Sequence, residues 1–201
     1  MNKSNKILDT LVIATKNSGK VEEMSFLLYD VAKQLLTYKD VFLESPDETG
    51  ISFEENAMIK AVCAAETTGY PAISDDTGLC IDELDGMPGI YTARWAGNGK
   101  SYVLGIEKIK QKLNNRTSKA MYVSCLAFCL PGGKHYVFRG ELTGKVAFPS
   151  EGEVIGYESI FIPDGFNKSL STLSADIRLQ IHHRTKSVEK LKDFIKSIDF
   201  L

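Results

Sequence analysis

The chain has 201 residues, 43% of them hydrophobic and 25% charged, with a formal net charge of -2. That is enough apolar material for one folded unit spanning 1–201, and Lys and Arg spread along the chain give no broad cationic face for nucleic acid or a membrane surface. No stretch approaches the roughly 20 apolar residues of a membrane span, and the N-terminal MNKSNKILDTLVIAT lacks the long apolar run and small-residue cleavage site of a secretory leader.

Cys63, Cys80, Cys125 and Cys129 lie in apolar stretches without a CxxC pair. They read as buried free thiols, with nothing to suggest a cysteine zinc site, and point to a reducing cytoplasm.

Ile7 to Ala14 reads as a buried strand, broken by Thr15-Lys16-Asn17-Ser18-Gly19 before helical spacing begins at Lys20 and runs to Leu28. A short strand is expected at Val41 to Leu43. After the turn at Pro46 to Gly50, Ser52 with Glu55 three residues on forms a capping-box signature for a helix to Thr68. Pro71 to Ser74 should be a short strand ending at the aspartates, with an extended run resuming at Leu79 to Ile81. A helix is expected over Tyr102–Leu113. Ala120 to Leu130 and His135 to Phe148 read as β stretches joined by a Pro131-Gly132-Gly133-Lys134 hairpin turn. Tyr157 to Ile162 reads as a strand and Thr185 to Ile198 as a closing helix. Crossovers together with a hairpin predict an α/β fold with a mixed sheet.

Three clusters carry candidate chemistry. In Thr15-Lys16-Asn17-Ser18-Gly19-Lys20, a loop between strand and helix offers backbone N–H groups, the positive helix end and two lysines to an anion. Ala14 and Val21 exclude a P-loop, and a capped helix with solvated lysines is the alternative. The acidic residues Asp47, Glu48, Asp75 and Asp76 could hold Mg²⁺ through oxygen ligands, while a carboxylate activates water. Because strand neighbours point to opposite faces, only one of Asp75 and Asp76 can face a given site; a plain Asp-rich turn is the alternative. Asp82, Glu83 and Asp85 are expected at a turn surface. Arg178 and His182-His183-Arg184 could donate to a planar base or a phosphate, or form a solvated face.

In this order the clusters resemble the inosine triphosphate pyrophosphatase family, which hydrolyses non-standard purine nucleoside triphosphates. The matching residues begin with Thr15 to Lys20, Glu48-Thr49-Gly50, Phe53-Glu54-Glu55-Asn56-Ala57 and Lys60-Ala61. They continue through Ser74 to Leu79, Gly86 to Gly97, Gly156-Tyr157, Phe161 to Phe166 and His183-Arg184. The resemblance implies a long mixed β-sheet flanked by helices, two lobes with a nucleotide cleft between them, and a homodimer. Thr15, Asn17 and Lys20, with Lys16, Ser18 and Gly19, would bind the triphosphate. Asp76 would bind Mg²⁺ (or Mn²⁺) and activate water, with Thr77 contacting substrate. The second metal carboxylate falls at Asp47, where the family typically has Glu, with Glu48 as the neighbouring candidate. Gly156, Tyr157, Glu158, Arg178, His183 and Arg184 would grip the base.

The chain departs from the family on that last side. An aromatic-Gly-aromatic-Asp-Pro pattern is replaced by Ile155-Gly156-Tyr157-Glu158-Ser159, an expected Glu is Thr172, a Glu-Lys pair is Ile177-Arg178, and a Ser before His-Arg is His182. The expected activity is hydrolysis of ITP, dITP and XTP to the monophosphate and pyrophosphate. A non-catalytic nucleotide-binding regulator, or a pyrophosphatase with altered base preference, are the alternatives.

Overall fold

The computed structural model describes residues 7–97, 102–148 and 156–198. Ile155, the first residue of the altered base-side pattern, lies outside them. β1 (Leu8–Ile13) is buried at its C-terminal half and leads into α1 (Ser18–Leu27). The Asn17 side chain caps this helix, accepting from Gly19 N at 3.0 Å and Lys20 N at 3.3 Å. β2 (Ala32–Thr37) then pairs in parallel with β1.

The strand expected at Val41–Leu43 is not formed. Asp40 accepts from the Thr37 backbone and hydroxyl, both at 2.7 Å, and this box starts a single-turn helix, α2 (Tyr38–Val41). α3 (Phe53–Thr68) begins at the expected cap: Ser52 Oγ accepts from Glu55 N at 3.2 Å. Glu55 reaches back to Ile51 N at 2.7 Å, one residue before the cap.

β3 (Ala72–Ile81) is one continuous strand, so the aspartates stand within it and not at its end. Beyond it come a 3₁₀ turn at Asp82–Leu84, whose Asp82, Glu83 and Asp85 are exposed as expected, and a second at Gly89–Tyr91. α4 (Thr92–Trp95) and α5 (Tyr102–Lys112) follow. Arg94 and Trp95 take separate partners: Arg94 lies 5.1 Å from the Tyr91 ring centroid and Lys108 lies 4.2 Å from that of Trp95.

β4 (Ser118–Cys129) and β5 (His135–Val146) are joined by the expected tight turn, with Leu130 N donating to Lys134 O at 2.8 Å. The strand expected over Tyr157–Ile162 is mostly 3₁₀ helix (Tyr157–Ile160), because Gly156 at φ 66° turns the chain; only β6 (Phe161–Pro163) is extended. α6 (Ala175–Ile181), which the sequence pattern did not reveal, is capped by Ser174. α7 (His183–Ser197) closes the chain two residues earlier than the expected start.

The six strands form one mixed sheet in the order β2-β1-β3-β4-β5-β6. β1 is parallel to β2 and β3, while β6 is antiparallel to β5. Among the described residues the chain divides into two compact units. The first comprises the chain up to Asp76, Cys125–Gly140 and the chain from Arg184; the second comprises Thr77–Ser124 and Glu141–His183.

Each unit has its own core. Leu11, Ile13, Met24, Ile73, Phe128 and Leu191 belong to the first, and Leu79, Ile81, Ile109, Tyr122 and Phe161 to the second. None of the four cysteines is in a disulfide; Cys125 and Cys129 are buried, but Cys63 and Cys80 are only half-buried. The Cys125 thiol donates to Glu54 at 3.1 Å, and burial pushes its pKa upward, as suits a packed and unreactive group. Among the described residues no helix is long and apolar enough to cross a membrane.

Candidate active site

The first unit gathers its polar groups around the backbone of Asp75. From α1, Lys20 Nζ donates to the Asp75 carbonyl at 3.2 Å and pairs with its carboxylate at 2.9 Å. From α3, Lys60 Nζ donates to the same carbonyl at 3.1 Å. Two ammonium groups from helices far apart in sequence therefore share one acceptor. Alternation along β3 then separates the two carboxylates. Asp75 serves Lys20 and the Arg184 guanidinium, whose Nε donates at 3.2 Å; Asp76 serves Asn56 Nδ2 at 3.4 Å and Lys60 at 3.6 Å.

Lys60 also binds Glu48 Oε1 at 2.6 Å, which brings the loop before α3 to the same place as Asp76. That loop is fixed by Gly50 N donating to Asn56 Oδ1 at 2.9 Å. A Cβ at Gly50 would stand 2.6 Å from Glu55 Cβ and 2.9 Å from Asn56 N, so no side chain fits without moving the cap of α3. Gly50→Ala should cost about 1–3 kcal/mol in equilibrium urea unfolding, the usual range for overpacking; unchanged stability would show that the loop yields freely.

Burial shapes the electrostatics. It raises the Asp76 carboxyl above its ordinary value, Glu48 and Asp75 push the same way, and Lys60 and Lys20 only partly oppose them. Burial lowers Lys20, although Asp75 favours its charged form. For Lys60 and Arg184 burial works against the charge, but the neighbouring carboxylates outweigh it and both stand above their ordinary values. Asp76 is thus a buried carboxylate held among cations and hydrogen-bonded on one oxygen, with its proton affinity raised by burial, a setting that suits a general base.

Thr15 and Asn17 shape the loop, Thr15 Oγ1 accepting from Asn17 N at 3.3 Å. Lys16, Ser18 and Gly19 are exposed there. Asp47 is exposed, whereas Glu48 is half-buried against Lys60. Among the described residues no three His, Cys, Asp or Glu side chains converge to form a ready-made metal cage. Glu48 and Asp76, linked by Lys60, offer an oxygen-only pair, which fits a hard divalent cation that keeps several waters and takes further oxygens from phosphate.

Arg184, expected among the base-gripping residues, stands in the first unit, bound to Asp75 and to Glu23 of α1. The other base-side candidates stand in the second. Thr77, half-buried, begins that unit. The Tyr157 ring is 3% exposed and packs edge-on to Tyr102, and a Cβ on Gly105 would overlap its hydroxyl. Burial pushes the Tyr157 phenol up to about 12. His183 stacks on Tyr122 at 4.8 Å with 8° between planes, and Glu158 lies near both Arg178 and His182.

Residue type and order alone give Lys60, Asn56 and Glu23 no role. The signal for two of them was present: Asn56 and Lys60 sit on the buried face of α3 among Phe53, Ala57, Ala61 and Ala64, where an unpaired lysine would be costly.

Residues 11–194 match the Ham1 family. The chain belongs to that family. A Mesorhizobium japonicum protein named dITP/XTP pyrophosphatase is 37% identical over 200 residues, covering 90% of each chain. Among solved structures, the Staphylococcus aureus Ham1 protein superposes with a TM-score of 0.83 at 34% identity, over 94% of this chain and 98% of that one. A HAM1 protein from Coxiella burnetii gives 0.85 at 29% identity, over 95% and 100%.

Proposed function

We propose that this Ham1-family chain is a hydrolase that cleaves dITP, ITP and XTP to the nucleoside monophosphate and pyrophosphate, removing them from the nucleotide pool. The observation that carries it is the convergence of Lys20 and Lys60 on the Asp75 carbonyl with the Asp76 carboxylate beside them. Two cations there suit a polyphosphate, and a buried carboxylate next to them suits activation of the attacking water. Thr15, Lys16, Asn17, Ser18 and Gly19 add loop donors for the same anion.

Asp76 and Glu48 would hold Mg²⁺, or Mn²⁺ in its place; the link from Lys60 to both favours Glu48 over the exposed Asp47. When bound, the cation neutralises phosphate oxygens and acidifies a water. Lys20 and Lys60 position the phosphates, and Asp76 accepts the proton of the attacking water. For the base we assign Glu158, Arg178 and His183, with Gly156 and Tyr157 anchoring the segment that carries Glu158 and Thr77 contacting substrate. Arg184 acts in this scheme by orienting Asp75. By family resemblance the chain works as a homodimer, its cysteine usage suits a reducing cytoplasm, and its length and composition suit 1–201 as a single domain; β3, β4 and β5 each contribute residues to both compact units.

The test is pyrophosphate release across ITP, dITP, XTP, GTP, ATP and dUTP. Turnover should be confined to 6-oxopurine nucleotides, vanish in EDTA and return with Mg²⁺. Equal rates with ATP, or full activity in EDTA, would contradict the assignment. Nucleotide-dependent thermal stabilisation without turnover on any of them would favour the regulatory alternative.

A further inference from the structure

Glu158, Arg178 and His182 are separate departures from the family pattern in sequence, yet in the fold they meet. His182 Nε2 lies 3.3 Å from Glu158 Oε1, and Arg178 Nη1 lies 3.8 Å from the other carboxylate oxygen, Oε2. The imidazole is nearly buried, its side chain 10% exposed, while the Glu158 and Arg178 side chains keep 28% and 40% of their surface open. Behind His182 the ring of His183 lies 4.0 Å away and itself stacks on Tyr122. Arg178 Nε is buried without a hydrogen-bond partner among the described residues. A packed imidazole thus backs a carboxylate that stays 28% open beside a guanidinium side chain 40% open.

We propose that His182 is a positioning residue that holds the Glu158 carboxylate beside Arg178, so that the two present one acceptor and one donor to the edge of the base. The proposal rests on the pyrophosphatase reading above. A 6-oxopurine offers N1–H as donor and O6 as acceptor, the complement of carboxylate and guanidinium. Adenine reverses both groups and would leave both protein partners unpaired. The pair therefore separates 6-oxo from 6-amino bases and does not separate hypoxanthine from guanine. The longer Glu158 is accommodated because His182 occupies the place where a serine would leave its carboxylate loose.

The test is steady-state kinetics on ITP and ATP for His182→Ala, His182→Gln, Glu158→Gln and the His182→Ala/Glu158→Gln double variant, each with its thermal melt. His182→Ala should raise KM for ITP roughly tenfold with kcat nearly unchanged, because a charge-assisted hydrogen bond used in binding is weakened. His182→Gln, which can still donate to Glu158, should recover most of that loss. The double variant should be no worse than Glu158→Gln alone, as expected for two residues acting through one contact. Additive losses, a fall in kcat alone, or a Gln variant as impaired as Ala would overturn the proposal. If His182→Ala fails to fold, Glu158→Gln carries the test, and an unchanged KM for ITP in that variant would overturn it equally. A wild type inactive on every 6-oxopurine triphosphate would sink the pyrophosphatase reading; an active wild type with a silent His182→Ala would sink only this one.

Discussion

Replacing Asp76 by Asn should reduce pyrophosphate release from ITP by at least about 10²–10⁴-fold, the usual contribution of a positioned general base, and leave the fold intact. The amide keeps the size of the carboxyl and can still bond Asn56, but it neither accepts a proton nor carries charge. A second consequence follows from the direction of the Asp76 shift. A carboxyl whose folded pKa is raised contributes stability below its ordinary value of 3.8 and loses it as pH rises through the folded value. At neutral pH in EDTA, wild type therefore bears the cost of a buried charge that Asp76→Asn lacks. The variant should melt at or above wild type there, with the advantage gone below pH 3.8. Melting curves across pH check the second effect. A variant that is both inactive and unfolded would make Asp76 a structural residue.

The largest effect on stability is expected one residue earlier. The Asp75 side chain is fully buried and joins Lys20 to Arg184, which is itself tied to Glu23. Asp75→Ala would leave the buried Arg184 and the part-buried Lys20 without the carboxylate that joins them, a loss of up to about 3–5 kcal/mol by analogy with broken buried ion pairs. Urea unfolding should show an earlier midpoint with an unchanged slope. Asp9→Ala is the control: its pair with Lys33 is solvent-exposed at both ends, so the midpoint should stay where it is. Equal effects from the two substitutions would mean that the network around Asp75 contributes nothing beyond surface charge.

Local signals made much of this fold legible. Ser52 and Glu55 marked the start of α3 to the residue, and the Pro-Gly-Gly-Lys turn marked the connection between β4 and β5. What stayed hidden depended on partners distant in sequence. Ala32–Thr37 carries Lys33 and Gln34, which an edge strand of the sheet tolerates, so no apolar run announces it. Asp75 and Asp76 look like a strand's end because charge in a buried strand is ordinarily excluded; Lys20, Lys60, Arg184 and Asn56 supply the compensation from elsewhere. Tyr157–Ile160 has the composition of a strand, and only the positive φ of Gly156 redirects it.

The candidate site divides the same way. That Thr15 to Lys20 links a strand to a helix, and that Asp75 and Asp76 turn to different partners, could be read from residue type and order. That Arg184 supports Asp75, and that Glu158 has its own histidine, required the contacts.

The phosphorus-31 NMR spectrum of ITP incubated with Mg²⁺ and the wild-type chain, beside the same mixture with Asp76→Asn, tests the central claim most directly. Wild type should convert the triphosphate resonances to those of IMP and pyrophosphate, and the variant should leave them unchanged over the same time. Orthophosphate and IDP as first products, or an Asp76→Asn variant that turns over as fast as wild type, would contradict it.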